Sequence, residues 1–303
     1  MWKFAWKNLI SRPTRTALAV VGLTIPVLAY LGLFSVSRGI RDLMGDTLGK
    51  IQGLMVLREN SPSPVFSDLS ADLGKKLRSI PGVRIAAAEV WKIAPPIDGK
   101  VGLKPSPIAL LTRPKEEGVK LISSMYMVEG QDLPDHLRLK AALYAMSILP
   151  KNQAEGRFLT LQDLGKPHVV ISTKLARDFP NTDGTPKKVG QKLRIGTQDF
   201  TIVGLYETGS LVTDMTALME ISVARKLLGV AEGSVSTFDV EPVNIVETDA
   251  LAMRIEAKFP GVRAQRISQF NLTVGTIMGK LDAFLFLAVS LALVVVDGQG
   301  VPR

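Results

Sequence analysis

The 303-residue chain contains no cysteine and only two histidines, His136 and His168. Without cysteine there are no disulfides and no thiol nucleophile, while the compartment stays open, since many exported domains of this size fold without them. Each histidine stands alone in the sequence, so no zinc constellation or catalytic triad assembles around it. Acidic residues come singly or beside basic ones, the usual pattern of a solvated surface. No basic run carries interleaved aromatics, which argues against a nucleic-acid interface. Residues 45–50 (GDTLGK) and 275–280 (GTIMGK) each fall one residue short of a phosphate loop. Ile51 and Leu281 then replace the hydroxyl that would bind magnesium. The chain is therefore expected to have no catalytic, cofactor-binding or metal residues, and not to be an enzyme.

What the chain does have is residues 17–36, twenty consecutive positions without a charge. At about 1.5 Å of rise per residue they span roughly 30 Å, the hydrocarbon thickness of a bilayer. A transmembrane helix is the reading; a cleaved signal peptide, ending at the small-x-small Ser35-Val36-Ser37, or a buried core helix is the alternative. Lys3, Lys7, Arg12 and Arg15 precede the run, and Arg38, Arg41 and Lys50 follow it. The bias places the N-terminus in the cytoplasm and the central domain outside. Residues 1–16 form an amphipathic cytoplasmic segment in which Trp2 and Trp6 share a face, with Trp2, Trp6, Arg12 and Arg15 as membrane-interface anchors. Residues 51–275 hold 28 basic and 24 acidic residues, a net of +4, so +5 of the total +9 sits at the membrane-proximal ends. That distribution fits attraction to anionic lipid. A second apolar run, 283–296, stops after fourteen residues, about 21 Å of helix. It is an incomplete second membrane helix, followed by an aberrant tail at 297–303.

Between the runs the chain repeats itself around Pro81-Gly82-Val83-Arg84 and Pro260-Gly261-Val262-Arg263. Leu69, Leu73, Leu77 and Ile80 share one helix face in the first copy, as do Leu251, Ile255 and Phe259 in the second. Each helix stops at Pro-Gly, runs into an extended segment, and follows a strand-like run, at 51–58 and 236–243. Two β-α-β units imply a ferredoxin-like layer of two helices on a sheet. The segment between them, 85–235, reads as mostly β. Strands are expected at 108–111, 169–172, 192–195 and 200–206, with Gly196 to Asp199 turning between the last two. A helix is expected at 222–228, with Ser222 as N-cap and Gly229 just past its end. The fold class is an α+β extracytoplasmic domain at 51–275, built of ferredoxin-like βαβ repeats with a β-rich inserted subdomain, on an N-terminal transmembrane helix.

These residues carry a family resemblance. Trp6-Lys7-Asn8-Leu9, Arg12 with Arg15-Thr16-x-Leu18, and residues 22–25 (GLTI) resemble the opening of permeases in the MacB/FtsX/LolC-type ABC superfamily. Glu155-Gly156-Arg157-Phe158, residues 169–172 (VVIS), Val189-Gly190-x-x-Leu193, residues 200–204 (FTIVG) and 224–229 (ARKLLG) resemble their periplasmic core domain. The resemblance implies that the repeats form a porter-like subdomain. It implies a non-catalytic permease subunit of an export, lipoprotein-release or mechanotransmission system in the bacterial inner (plasma) membrane, with the main domain periplasmic or extracellular. ATP would be bound by a partner ABC ATPase subunit, and the permease would dimerise in membrane lipid, without nucleic acid. Such permeases carry four membrane helices, so this chain is expected to be a fragment truncated within the second. The alternative is a signal-anchored extracytoplasmic scaffold or binding domain acting without an ATPase.

Overall fold

The two Pro-Gly copies fold onto one sheet. Strand β1 (Leu54–Arg58) lies between β10 (Thr237–Pro242) and β11 (Val262–Arg266), antiparallel to both, and β10 pairs antiparallel on its other side with β3 (Val83–Ile93). Helix α1 (Leu73–Arg78) connects β1 to β3, and α5 (Thr248–Lys258) connects β10 to β11. This is the split-βαβ order of a ferredoxin-like layer, as the sequence pattern implies. The structure, a computed structural model, describes residues 53–100, 125–140, 148–149, 156–209 and 213–267. The 17–36 run, the anchors Trp2, Trp6, Arg12 and Arg15, the strand expected at 108–111 and residues 283–303 lie outside these. Among the described residues no helix is long and apolar enough to cross a membrane.

The helix faces match the spacing in part: Ile80 and Phe259 lie just past the ends of their helices, and Leu69 before the start of α1. Leu73 and Leu77 from α1, and Leu251 and Ile255 from α5, bury against Leu54, Val56, Phe238 and Val240 of the sheet. Leu69 is buried too, but in a two-residue strand, β2 (Leu69–Ser70), paired with β9 (Ser234–Val235). The Ser70 hydroxyl accepts from the Asp72 N–H at 3.3 Å, a local bond that competes with helix and delays α1 to Leu73. Both repeats turn from helix into strand at a glycine with positive φ, +98° at Gly82 and +82° at Gly261. Only glycine enters that region at no steric cost, which is why both copies carry Pro-Gly.

Beyond β3 the same sheet continues through five more strands. These are β4 (Met127–Gln131), β5 (His168–Ser172), β6 (Lys192–Ile195), β7 (Gln198–Tyr206) and β8 (Thr216–Glu220). The full order is β11-β1-β10-β3-β4-β8-β5-β7-β6. Strand β3 runs straight through residue 85, where the sequence pattern begins the insertion. Its first half pairs with β10 and its second with β4, and Glu89 belongs to both registers, opposite Thr237 and Gln131. The β6–β7 turn is tighter than the sequence implies, because Ile195 pairs directly with Gln198 and only Gly196 and Thr197 remain as the loop.

Helices α3 (Thr173–Asp178) and α4 (Ile221–Leu228) cover one face of this half, where Leu175, Ala176, Val223 and Ala224 pack on Val169, Ile171, Ile202 and Met219. The cap of α4 is Glu220, not Ser222: its carboxylate accepts from the N–H groups of Ser222 at 2.9 Å and Val223 at 3.2 Å. A carboxylate there also meets the positive end of the helix dipole, so it displaces the serine hydroxyl from the role. On the opposite face a third apolar cluster forms from Leu133, Leu159, Val170, Tyr206 and Leu218.

Candidate functional site

Period-two alternation sends Ala86 and Val90 of β3 into the helix-covered core and Glu89 and Trp91 to the other face. The next strand repeats the pattern: Val128 joins the core, and Glu129 and Gln131 stand opposite Trp91 and Glu89. The short helix α2 (Leu133–His136) then folds back over them, held by Asp132 N–H to the Ala88 carbonyl at 3.0 Å and His136 N–H to the Asp132 carbonyl at 2.8 Å. His136 thereby arrives 2.9 Å from Glu89, Nε2 to Oε1. Trp91 Nε1 donates to the other Glu89 oxygen at 2.7 Å, and Gln131 Nε2 donates to Glu129 Oε1 at 2.6 Å. Glu89, Glu129, Gln131 and His136 are each no more than 3% exposed.

Burial governs the electrostatics. It pushes the Glu89 carboxyl up to about 7, against hydrogen bonds with Trp91 and Asp239 that pull it down. Asp239, one strand over on β10, rises well above the usual carboxylate range through burial and the neighbouring Glu89 charge. Burial also holds His136 below its ordinary range, so the imidazole is neutral. The group is a buried cluster of carboxyls around one imidazole. One ligand atom each from Glu89, Glu129 and His136 lies within 4.8 Å of the others, and this trio could hold a cation.

The structure corrects the sequence view of the two histidines and of the acidic residues. His136 is isolated in sequence, yet 47 positions from Glu89 it makes a buried contact. His168 Nδ1 meets Asp163 Oδ1 at 2.6 Å. Asp163 also receives two hydrogen bonds from Arg157, at 2.7 and 2.8 Å, and the Thr160 N–H at 2.7 Å. Burial alone would raise this carboxyl, but the donors, Arg157 foremost, hold it well below the usual range. Arg157 is the third residue of the Glu155-Gly156-Arg157-Phe158 motif, and this arginine acts here as a structural clamp. The four anchors Trp2, Trp6, Arg12 and Arg15 lie outside the described residues. An in-strand acid flanked by apolar positions, as in residues 85–91 (IAAAEVW), is the one signal in the sequence for the buried cluster.

The class defined by this architecture is an α+β domain in which a ferredoxin-like half and a second half share one continuous sheet. The profile of the MacB-like periplasmic core domain matches residues 16–258, and the chain belongs to that family. Among solved structures it is similar to the extracellular domain of the noncanonic ABC-type transporter YknZ from Gram-positive bacteria. That likeness has 13% identity and a TM-score of 0.45, over 71% of this chain and 98% of that one. It is also similar to the periplasmic region of MacB from Actinobacillus actinomycetemcomitans, with 11% identity and a TM-score of 0.48, over 77% of this chain and 97% of that one. No curated protein matches it.

Proposed function

We propose that this chain is the non-catalytic permease subunit of an ABC-type export, lipoprotein-release or mechanotransmission system. Residues 51–275 would be its extracytoplasmic domain. The family match over residues 16–258 supports this reading, and the observation that carries it is where the chain enters and leaves the domain. The N–H of Ile267 donates to the carbonyl of Gly53 at 3.3 Å. Both connections toward the runs at 17–36 and 283–296 would leave this sheet side by side, at the paired ends of β1 and β11. A displacement produced by a partner ATPase would reach the domain through those two strands together. Lipid would surround the apolar runs, with Trp2, Trp6, Arg12 and Arg15 at its cytoplasmic interface, and two copies would dimerise.

The test is co-expression with a candidate partner ABC ATPase subunit from the same genome. The two should co-purify in detergent, and the chain should change the ATPase turnover. An ATPase that neither binds nor responds would favour a scaffold that works without nucleotide. Orientation is tested by a cysteine at the exposed Thr182, unique because the chain has none. It should react with a membrane-impermeant maleimide before lysis.

A further inference from the structure

The buried cluster at the seam of the sheet has the chemistry of a cation site. We propose that Glu89, Glu129 and His136 bind one divalent first-row cation, zinc foremost. The donor set is two carboxylate oxygens and one imidazole nitrogen, the oxygen–nitrogen ligation that zinc and manganese accept. The three ligand atoms lie within 4.8 Å of one another. Around zinc at bond lengths of about 2.0–2.2 Å, ligand atoms stand roughly 3.4 Å apart. Binding would open the Glu89–His136 pair, now 2.9 Å apart, and bring Glu129 into the same sphere.

A second observation is independent of the acids. Among the described residues, Gln131 Oε1 and Thr216 Oγ1, on the face that carries Glu129, and His136 Nδ1, within the trio itself, are buried without a hydrogen-bond partner. Gln131 reaches Glu129 through its own amide nitrogen, so its carbonyl oxygen is held beside the same carboxylate. Thr216 stands on β8 opposite Met127, one pleat from Glu129 on the same face. Gln131 and Thr216 are both 0% exposed. Native interiors rarely leave such atoms orphaned, and a cation with its coordinated water supplies partners for them.

The consequence of binding is mechanical. Glu89 is on β3 where the strand changes partner, Glu129 is on β4, and His136 is on α2. One ion would fasten all three elements at the junction of the two halves.

The experiment uses the full chain purified in detergent, stripped with chelator and titrated with zinc chloride, with calcium and magnesium chloride as comparisons. One zinc per chain should bind with a micromolar or tighter dissociation constant and raise the melting midpoint. Calcium and magnesium should do neither. Glu129→Gln and Glu89→Gln should each weaken binding at least tenfold, while Asp163→Asn should not. X-ray absorption at the zinc edge of the wild-type chain should show one imidazole among oxygen ligands, a readout that requires no variant to fold. Absence of zinc binding, undiminished binding by both glutamine variants, or a spectrum without imidazole would each overturn the proposal.

Discussion

Gly156 and Gly204 face each other so closely that a Cβ added to Gly156 would stand 3.1 Å from the Gly204 Cα, and one added to Gly204 would fall on the Arg157 carbonyl oxygen. The contact lets the Arg157 N–H reach the Val203 carbonyl at 3.0 Å and sets the arginine over Asp163. Gly204→Ala must therefore push two backbones apart. A loss of at least about 2 kcal/mol is expected, toward the upper end for overpacking. Urea denaturation followed by tryptophan fluorescence reads it, and a change within ~0.5 kcal/mol would show that the two segments do not meet.

The Arg157–Asp163 clamp carries a pH dependence. Asp163 titrates lower when folded than when unfolded, because its donors outweigh burial. Its contribution is thus fully present above the unfolded carboxylate value, about 4, and is lost as pH falls from there toward the folded value. Stability of the wild type should drop between about pH 4 and pH 2 more steeply than that of Asp163→Asn. Parallel curves would remove the clamp from the acid response. Arg157→Ala, which leaves the buried carboxylate short of two donors, should cost about 1–3 kcal/mol at pH 7.

Leu77 is 0% exposed at the centre of the first repeat helix. Leu77→Ala should cost roughly 2–5 kcal/mol through lost burial and the cavity left behind. A melting midpoint unchanged from the wild type would mean that α1 does not pack on the sheet.

The Pro-Gly turns provide a paired test. At Gly261 nothing lies within 4 Å of where a Cβ would stand, and at Gly82 the nearest atom is the guanidinium of Arg254 at 3.3 Å. Substitution at either site therefore acts mainly through the backbone, whose positive φ disfavours a side chain by about 1–2 kcal/mol. Gly82→Ala and Gly261→Ala should destabilise by similar amounts. A large difference between them would break the equivalence of the two copies.

The ferredoxin-like half is legible in the sequence because its signals are local. Leu251 and Ile255 keep helical spacing, and Pro81-Gly82 and Pro260-Gly261 mark both helix ends. The second half is legible where strands alternate, as in 192–195 and 200–206, in the apolar run 169–172 and in the helix at 222–228. Strands β4 and β8 are hidden because they pair in parallel and are buried; the run MVEGQ carries a glycine and a glutamate that read as loop. Gly130 is there for a long-range reason, since its missing Cβ makes room for Ala224 of α4. Glu220 does not read as a cap because serine is the commoner choice and the strand before it has no polar break. The buried cluster escapes a reading of the sequence for the same reason in stronger form. Glu89, Glu129, His136 and Asp239 are spread over 150 positions, and only the strand order brings them together.

The single hydrogen bond between Ile267 and Gly53 has an evolutionary reading as well. A stretch of chain whose two ends meet, as at Gly53 and Ile267, is a cassette: it can be removed, enlarged or exchanged while the flanking segments keep their spacing. Chains built on this plan are free to diversify the segment between those two ends without redesigning what flanks it.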